Sequence, residues 1–433
     1  MTPRPAPSPA ATRSTSELTR RRLLALSAAT AAVAGLDLLP AAASAAAAPR
    51  SAAHSSASAQ GRAARAVPLL TLPAPTGGDR IGTVALHLVD PSRRDPWAPT
   101  PRPRELMVQL WYPAQQERGH PAAPWISPGA VPHFEASWNI PSGSVRLPTT
   151  SGRVGAPVRQ QRPCPVLLFS PGYGMDRSAG TGLVEELASH GYLVVAIDHT
   201  YDASEVEFPG GRIETALLPA DPSDRLVVAE AGVREADARF VLDRIEELNA
   251  GRNPDAEHRP LPRGLRGAFD LDRIGMFGHS LGGCTTAAAI HDDRRIKAGL
   301  SLDGQFVGPS APAGSDRPFL LLSSDHDDPF PGWAAFWANQ RGPKLELRLK
   351  GSTHGSFTDG EVFVPQLAPV LGLTPAEVVD QIGTGAPLRS VSVQRAYLRA
   401  FFDRYLRDGD GALLRGPSAH YPEMRFVRSH GIS

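Results

Sequence analysis

The stretch Gly278-His279-Ser280-Leu281-Gly282, within RIGMFGHSLGG, restricts what this 433-residue chain can fold into more than any other. An apolar run ends at it and a run of small residues, LGGCTTAAAI, leaves it, so a strand is predicted to turn directly into a helix with Ser280 at the corner. Glycines two residues to either side let the backbone close up without Cβ collisions, and the serine hydroxyl is left exposed at the head of the helix. Gly283, Cys284 and Ala287 are small where that helix must pack closely on a sheet. These features mark Ser280 as a nucleophile.

The rest of the chain suits such a corner. IGTVALHLVD and ELMVQLWYPA read as an antiparallel strand pair, and PVLLFSPG and LVVAIDHT as strands buried on both faces. Helices are expected at 182–190 and 226–248. Beyond the serine, IKAGLSLD, RPFLLLSS and KLELRLKGS read as strands, WAAFWANQ as a helix and VQRAYLRAFFDRYLRD as a closing amphipathic helix. This alternation predicts an α/β class with a mostly parallel sheet. Residues 115–163 show no periodicity and are rich in Pro, Gly and Ser, which marks an insertion or a functional loop.

A serine hydroxyl needs a base to take its proton, and that base is expected on the loop after a late strand. KLELRLKGSTHGSFTD supplies His354 there, flanked by small residues, whereas His420 and His430 lie beyond the closing helix. The tetrahedral intermediate needs N–H donors for its oxyanion: one from the residue after the nucleophile, Leu281, and one from the loop Gly172-Tyr173-Gly174, through the N–H of Tyr173.

The chain offers more acids than the base requires. GLSLDGQF ends an apolar run in Asp303, and PFLLLSSDHDD ends another in Asp325, Asp327 and Asp328. With GHSLGG, GLSLDGQ and GSTHGSF, the chain resembles the plasma-type platelet-activating factor acetylhydrolase family of α/β-hydrolases. The loop SPGYG and the acid-bearing SSDHDDP resemble the neighbouring bacterial cutinase and polyester-hydrolase group. Both likenesses run from about 81 to 405, apart from 113–160. They imply an α/β-hydrolase fold, with a mostly parallel eight-stranded sheet and helices on both faces. Position leaves both acids open. Asp303 is preferred because a lone carboxylate ending an apolar run is costly unless hydrogen-bonded, with Asp327 the alternative.

The expected activity is serine carboxylic-ester hydrolysis. The first resemblance implies short or oxidised acyl groups released from phospholipid, without calcium; the second implies aliphatic esters or polyesters. A peptidase on the same scaffold is the remaining alternative. PWISPGAVPHFEASWNIP carries Trp125, Phe134 and Trp138, which suit either a lipid-contacting rim or a loop covering the sheet edge. The acidic triplet lacks EF-hand spacing, and no cysteine and histidine cluster suggests zinc, so no cofactor is expected.

At the N-terminus, TRRRLLALSAATAAVAGLDLLPAAASA orders a charged region with Arg20 and Arg21, a short apolar region and an A-x-A-like site after Ala45. It resembles a twin-arginine export signal and predicts a secreted protein. Residues 46–67 read as a disordered linker and 68–433 as one hydrolase domain. Eight of the 45 basic and two of the 44 acidic side chains fall in residues 1–67, leaving 37 against 42, a net of −5 with no basic stripe. Nucleic acid is therefore not an expected partner, and no apolar run after the signal has membrane-spanning length. Small-molecule or lipid esters are, with contact to a lipid surface. Cys164 and Cys284 are placed at opposite ends of neighbouring elements, too far apart for a disulfide.

Overall fold

A computed structural model describes residues 67–159, 162–326 and 330–432. The signal region, all but the last linker residue, and Asp327 with Asp328 lie outside the described residues.

Thirteen strands are described: β1 Ile81–Arg94, β2 Pro103–Pro113, β3 Ala122–Pro124, β4 Thr149–Val154, β5 Cys164–Ser170, β6 Leu193–Asp198, β7 Glu205–Phe208, β8 Arg212–Thr215, β9 Phe269–His279, β10 Ile296–Leu302, β11 Phe319–Ser323, β12 Lys344–Leu349 and β13 Met424–His430. All but the β7–β8 hairpin form one sheet in the order β13-β12-β11-β10-β9-β5-β6-β2-β1-β4-β3. From β6 to β12 neighbouring strands run parallel, and β2 and β13 join this block antiparallel on either side.

Helices are α1 Val131–Ser137, α2 Thr181–Ser189, α3 Asp224–Asn249, α4 Leu281–Asp292, α5 Trp333–Asn339, α6 Gly360–Leu371, α7 Pro375–Ile382 and α8 Pro387–Arg407. They divide between the two faces because successive strand side chains point to opposite sides. Val166 and Leu168 of β5 pack with Val241, Ile245 and Cys284 of α3 and α4. Leu167 and Phe169 pack with Leu187 of α2 and with Val393, Tyr397 and Phe401 of α8. Such two-sided burial explains why the central strands read as unbroken apolar runs.

Eight strands were expected and the sheet has eleven. The expected eight are β1, β2, β6, β5, β9, β10, β11 and β12. The surplus comes from segments whose sequence carries no strand period: β3 and β4 lie within 115–163 at one edge, and β13 lies in the tail at the other. An edge strand needs only one hydrogen-bonded neighbour and buries little, so alternation is not imposed on it. Helix α6 escapes a periodicity reading for a different reason, since Pro365 and Pro369 interrupt it. Segment 124–141 starts at the sheet edge and runs on over a cavity. β3 extends the sheet edge, while Trp125, Phe134 and Trp138 line a cavity that also reaches His354. Both cysteines are free and buried.

Candidate active site

Ser280 follows β9 directly and heads α4 with φ 54° and ψ −120°, a backbone region that side-chain-bearing residues avoid. Neighbouring chain holds it there. The Ser280 N–H donates to the Leu302 carbonyl at 2.8 Å, and Gly283 N–H returns to the Ser280 carbonyl at 2.9 Å. A Cβ on Gly278 would lie 2.3 Å from the Gly282 carbonyl carbon, and one on Gly282 would lie 1.9 Å from the Ser170 carbonyl oxygen. Nothing larger than glycine fits on either side of the serine.

Asp303 follows β10, also in the left-handed region at φ 55°, and is completely buried. Its Oδ1 accepts the Ser324 N–H at 2.6 Å; its Oδ2 accepts the Ser324 hydroxyl at 3.0 Å and faces His354 Nδ1 at 2.6 Å. Burial pushes the carboxyl up. The hydrogen bond and charge of His354, then the Ser324 N–H and the charge of His326, outweigh that and leave it below its ordinary range. Asp303 thus stays ionised and accepts a hydrogen bond from Nδ1–H, which leaves Nε2 as the unprotonated nitrogen of a neutral His354 ring.

His354 opens a short turn after β12, reached through the loop that Asp325 fastens by accepting the Gly351 N–H at 2.8 Å. Its ring lies 4.5 Å from that of His279, centroid to centroid, which brings it beside the nucleophile corner. Among the described residues of SSDHDD, Ser324 and His326 reach Asp303, with His326 Nε2 3.9 Å from Oδ1. In the sequence that stretch stands out for its acids alone.

The loop 172–174 is clamped from behind. Arg234, fully buried on α3, donates to the Pro171 carbonyl at 2.6 Å and to the Gly172 carbonyl at 3.0 Å, and pairs with Asp202 at 2.5 Å. Asp202 also accepts the Gly174 N–H at 2.7 Å. Because a trans peptide sets N–H opposite C=O, tying the Gly172 carbonyl to Arg234 turns the Tyr173 N–H the other way. The Leu281 N–H, first in its helix, has no carbonyl within the helix to donate to. The two loops touch where Gly282 meets Ser170 and Pro171.

Arg234 was missed in the sequence, yet a signal existed. Glu230, Arg234 and Asp237 recur at helical spacing on the same buried face of α3 as Val227, Ala231, Ala238 and Val241. Charges on an apolar face are expected only when paired. Asp237 belongs to a second linear array: Ser170 Oγ lies 2.9 Å from His199 Nε2, and His199 Nδ1 lies 3.0 Å from Asp237 Oδ2, all without solvent exposure.

A cavity of about 480 Å³ opens at His354, walled by Trp125, Phe134, Trp138, Phe363, Val364 and Leu371. No described helix is long and apolar enough to cross a membrane.

A mostly parallel sheet with helices on both faces, and a partly exposed corner serine beside a histidine, define a carboxylic ester hydrolase of the α/β-hydrolase fold. The family described as platelet-activating factor acetylhydrolase, isoform II, matches residues 101–371, more than half of the chain. The chain belongs to that family. It is 27% identical over 387 residues to a probable 1-alkyl-2-acetylglycerophosphocholine esterase of Arthroderma benhamiae, covering 82% of this chain and 93% of that one. It is 25% identical over 338 residues to the platelet-activating factor acetylhydrolase of Cavia porcellus, covering 69% and 72%. Among solved structures, a ferulic acid esterase from Streptomyces cinnamoneus matches with TM-score 0.68 and 38% identity, over 84% of this chain and all of that one.

Proposed function

We propose that the chain is an exported serine esterase in which Ser280, His354 and Asp303 form the catalytic triad. The observation that carries this is the 2.6 Å contact between His354 Nδ1 and Asp303 Oδ2, made by loops leaving parallel strands on the nucleophile's side of the sheet. In the reaction His354 Nε2 takes the proton of Ser280 Oγ as that oxygen attacks the ester carbonyl. The N–H groups of Leu281 and Tyr173 stabilise the oxyanion. His354 then returns the proton to the departing alcohol, and water, deprotonated by the same nitrogen, releases the acyl group. No step calls for a metal.

The substrate proposed is a phospholipid carrying a short or oxidised acyl chain; the names of the relatives, which specify an acetyl group, support the short chain. The apolar cavity at His354 offers the acyl chain a place. A second reading is an aromatic acyl ester, favoured by the ferulic acid esterase likeness and by Trp125, Phe134 and Trp138 in the cavity wall. Residues 1–45 are proposed as a cleaved twin-arginine-type signal, 46–67 as a linker and 68–433 as the hydrolase domain.

One set of assays tests these readings. Purified protein is given p-nitrophenyl esters of graded chain length, with and without chelator, then 1-alkyl-2-acetylglycerophosphocholine, methyl ferulate and polyester film. Turnover is expected to be chelator-independent, highest on the phospholipid and reduced about 10⁶-fold in Ser280→Ala. Hydrolysis surviving that substitution would sink the triad, and a preference for methyl ferulate or polyester would reassign the substrate. Export failing on Arg20→Lys with Arg21→Lys tests the signal.

A further inference from the structure

The acyl cavity has a neighbour, a second chamber of about 180 Å³. Trp125, Asp176 and Ser178 line both. Around that seam the walls divide. Phe134, Trp138 and Phe363 line the acyl cavity alone, while Val84, Ala123, Pro124 and Ile126 line the second chamber alone. Asp176 and Ser178 belong to one short turn, closed by the Ser178 N–H donating to Asp176 Oδ1 at 2.7 Å. The large group standing between the two spaces is therefore the indole of Trp125.

That indole is held on several sides. Its Nε1–H donates to Asp359 Oδ2 at 2.8 Å, and the rings of Phe134 and Phe363 meet it edge-on, 5.0 and 4.9 Å between centroids. Asp359 is fixed in turn, because its Oδ1 accepts the Gly182 N–H in the first turn of α2 at 2.9 Å. A buried carboxylate is costly unless its oxygens find donors, and here one donor comes from the rim and the other from the body of the fold. Asp359 precedes α6, yet its side chain makes no capping hydrogen bond to that helix. Holding Trp125 and Gly182 is what its side chain does instead.

The second chamber suits an alkyl chain. Its described lining includes four carboxyl groups, Asp176, Asp198, Glu205 and Glu207. Asp176 is engaged by Ser178, Asp198 by the guanidinium and N–H of Arg177, and Glu207 by the Gly129 N–H at 2.7 Å. Burial, then the charge of Asp176, pushes the Glu205 carboxyl up to about 8, so that it is mostly uncharged at pH 7. We propose that Trp125 is a specificity-determining residue whose indole ends the acyl cavity and sets the longest chain accepted, with Asp359 the positioning residue that holds it there. The proposal rests on the esterase reading and adds to it the limit on acyl length.

The test measures kcat/KM on p-nitrophenyl esters from acetyl to dodecanoyl. Each buried methylene is expected to raise it about fourfold until the chain meets the indole, where the rise stops. In Trp125→Ala the rise is expected to run on to longer chains, so that the ratio of dodecanoyl to acetyl ester grows about tenfold or more. The ratio is taken within one protein and does not depend on how much active enzyme survives the substitution. Trp125→Leu serves in the same way where the alanine variant fails to fold. Val84→Phe, which narrows the second chamber, is expected to reverse the gain when added to Trp125→Ala. Asp359→Ala keeps the indole but frees it, and should give part of the same gain. A break that neither Trp125 variant moves, or a gain that Val84→Phe leaves intact, would overturn the partition; a wild-type ratio in Asp359→Ala would overturn the positioning role. Dissociation constants of straight-chain 1-alkanols of graded length, measured on Ser280→Ala with and without Trp125→Ala, read the same break without turnover. A protein that hydrolyses no ester would thus lose the esterase reading while the partition is still decided.

Discussion

His279, the residue before Ser280, donates its ring Nε2–H to the main-chain carbonyl of His354 across 3.0 Å. A carbonyl can only accept, so Nε2 carries the ring proton and Nδ1 is bare. That bare nitrogen faces Gly172, where a Cβ would come within 2.9 Å of it. Burial, then the charge of His354, holds the His279 pKa down to about 3, and the ring stays neutral under ordinary conditions. The second residue of the serine motif thus tethers the base loop to the nucleophile strand.

His279→Ala is expected to lower kcat about 10²-fold by loosening the position of His354. His279→Gln keeps an N–H donor and should recover part of the loss. Steady-state kinetics on both variants checks this, and an unchanged kcat in the alanine variant rejects the tether.

Asp303→Asn is expected to cost on the order of 10⁴ in turnover, because an amide cannot hold the imidazolium or fix its tautomer. Asp327→Asn should stay near wild type. The reverse pattern would move the acid to the loop after β11.

Arg234→Lys keeps a positive charge beside Asp202 but gives up the planar fork that reaches two carbonyls. With the Gly172–Tyr173 peptide freed, kcat is expected to fall about 10²-fold with little change in KM, as for loss of one oxyanion donor. Circular dichroism verifies the fold. A change confined to KM would place the clamp's effect in binding instead.

Glu361 in α6 is fully buried, and burial pushes its carboxyl up to about 7, which the nearby hydroxyls of Ser356 and Ser390 only partly offset. A raised acid keeps its proton in the folded chain after the unfolded chain has released it, so stability falls as pH rises from about 4.5 to 7. Glu361→Gln should remove this loss, on the order of 3 kcal/mol at pH 8. Thermal unfolding of both proteins across pH 4.5–8 measures it; parallel curves would reject the assignment.

The parallel core and the positions of Ser280, Asp303 and His354 were legible because each ends or follows an apolar run at a strand terminus, where a single polar residue stands out. The supports were not. Ser324 and Arg234 act on Asp303 and Tyr173 from 21 and 61 residues away in sequence, distances over which no period or spacing carries information. The chain edges were illegible too: β3, β4 and β13 owe their form to the sheet they join, and α6 runs through two prolines.

The array Ser170, His199 and Asp237 carries the same three side-chain types in the same order as the proposed triad, with contacts of 2.9 and 3.0 Å. A template made only of those groups therefore matches this chain at a site no substrate can enter. What distinguishes Ser280 is its backbone, turned to φ 54° at a partly exposed corner, while Ser170 ends a strand inside the sheet. Under the proposed triad, reactivity follows from which serine the chain path lifts out of the interior, and a search for such enzymes does better to match that path than the three side chains.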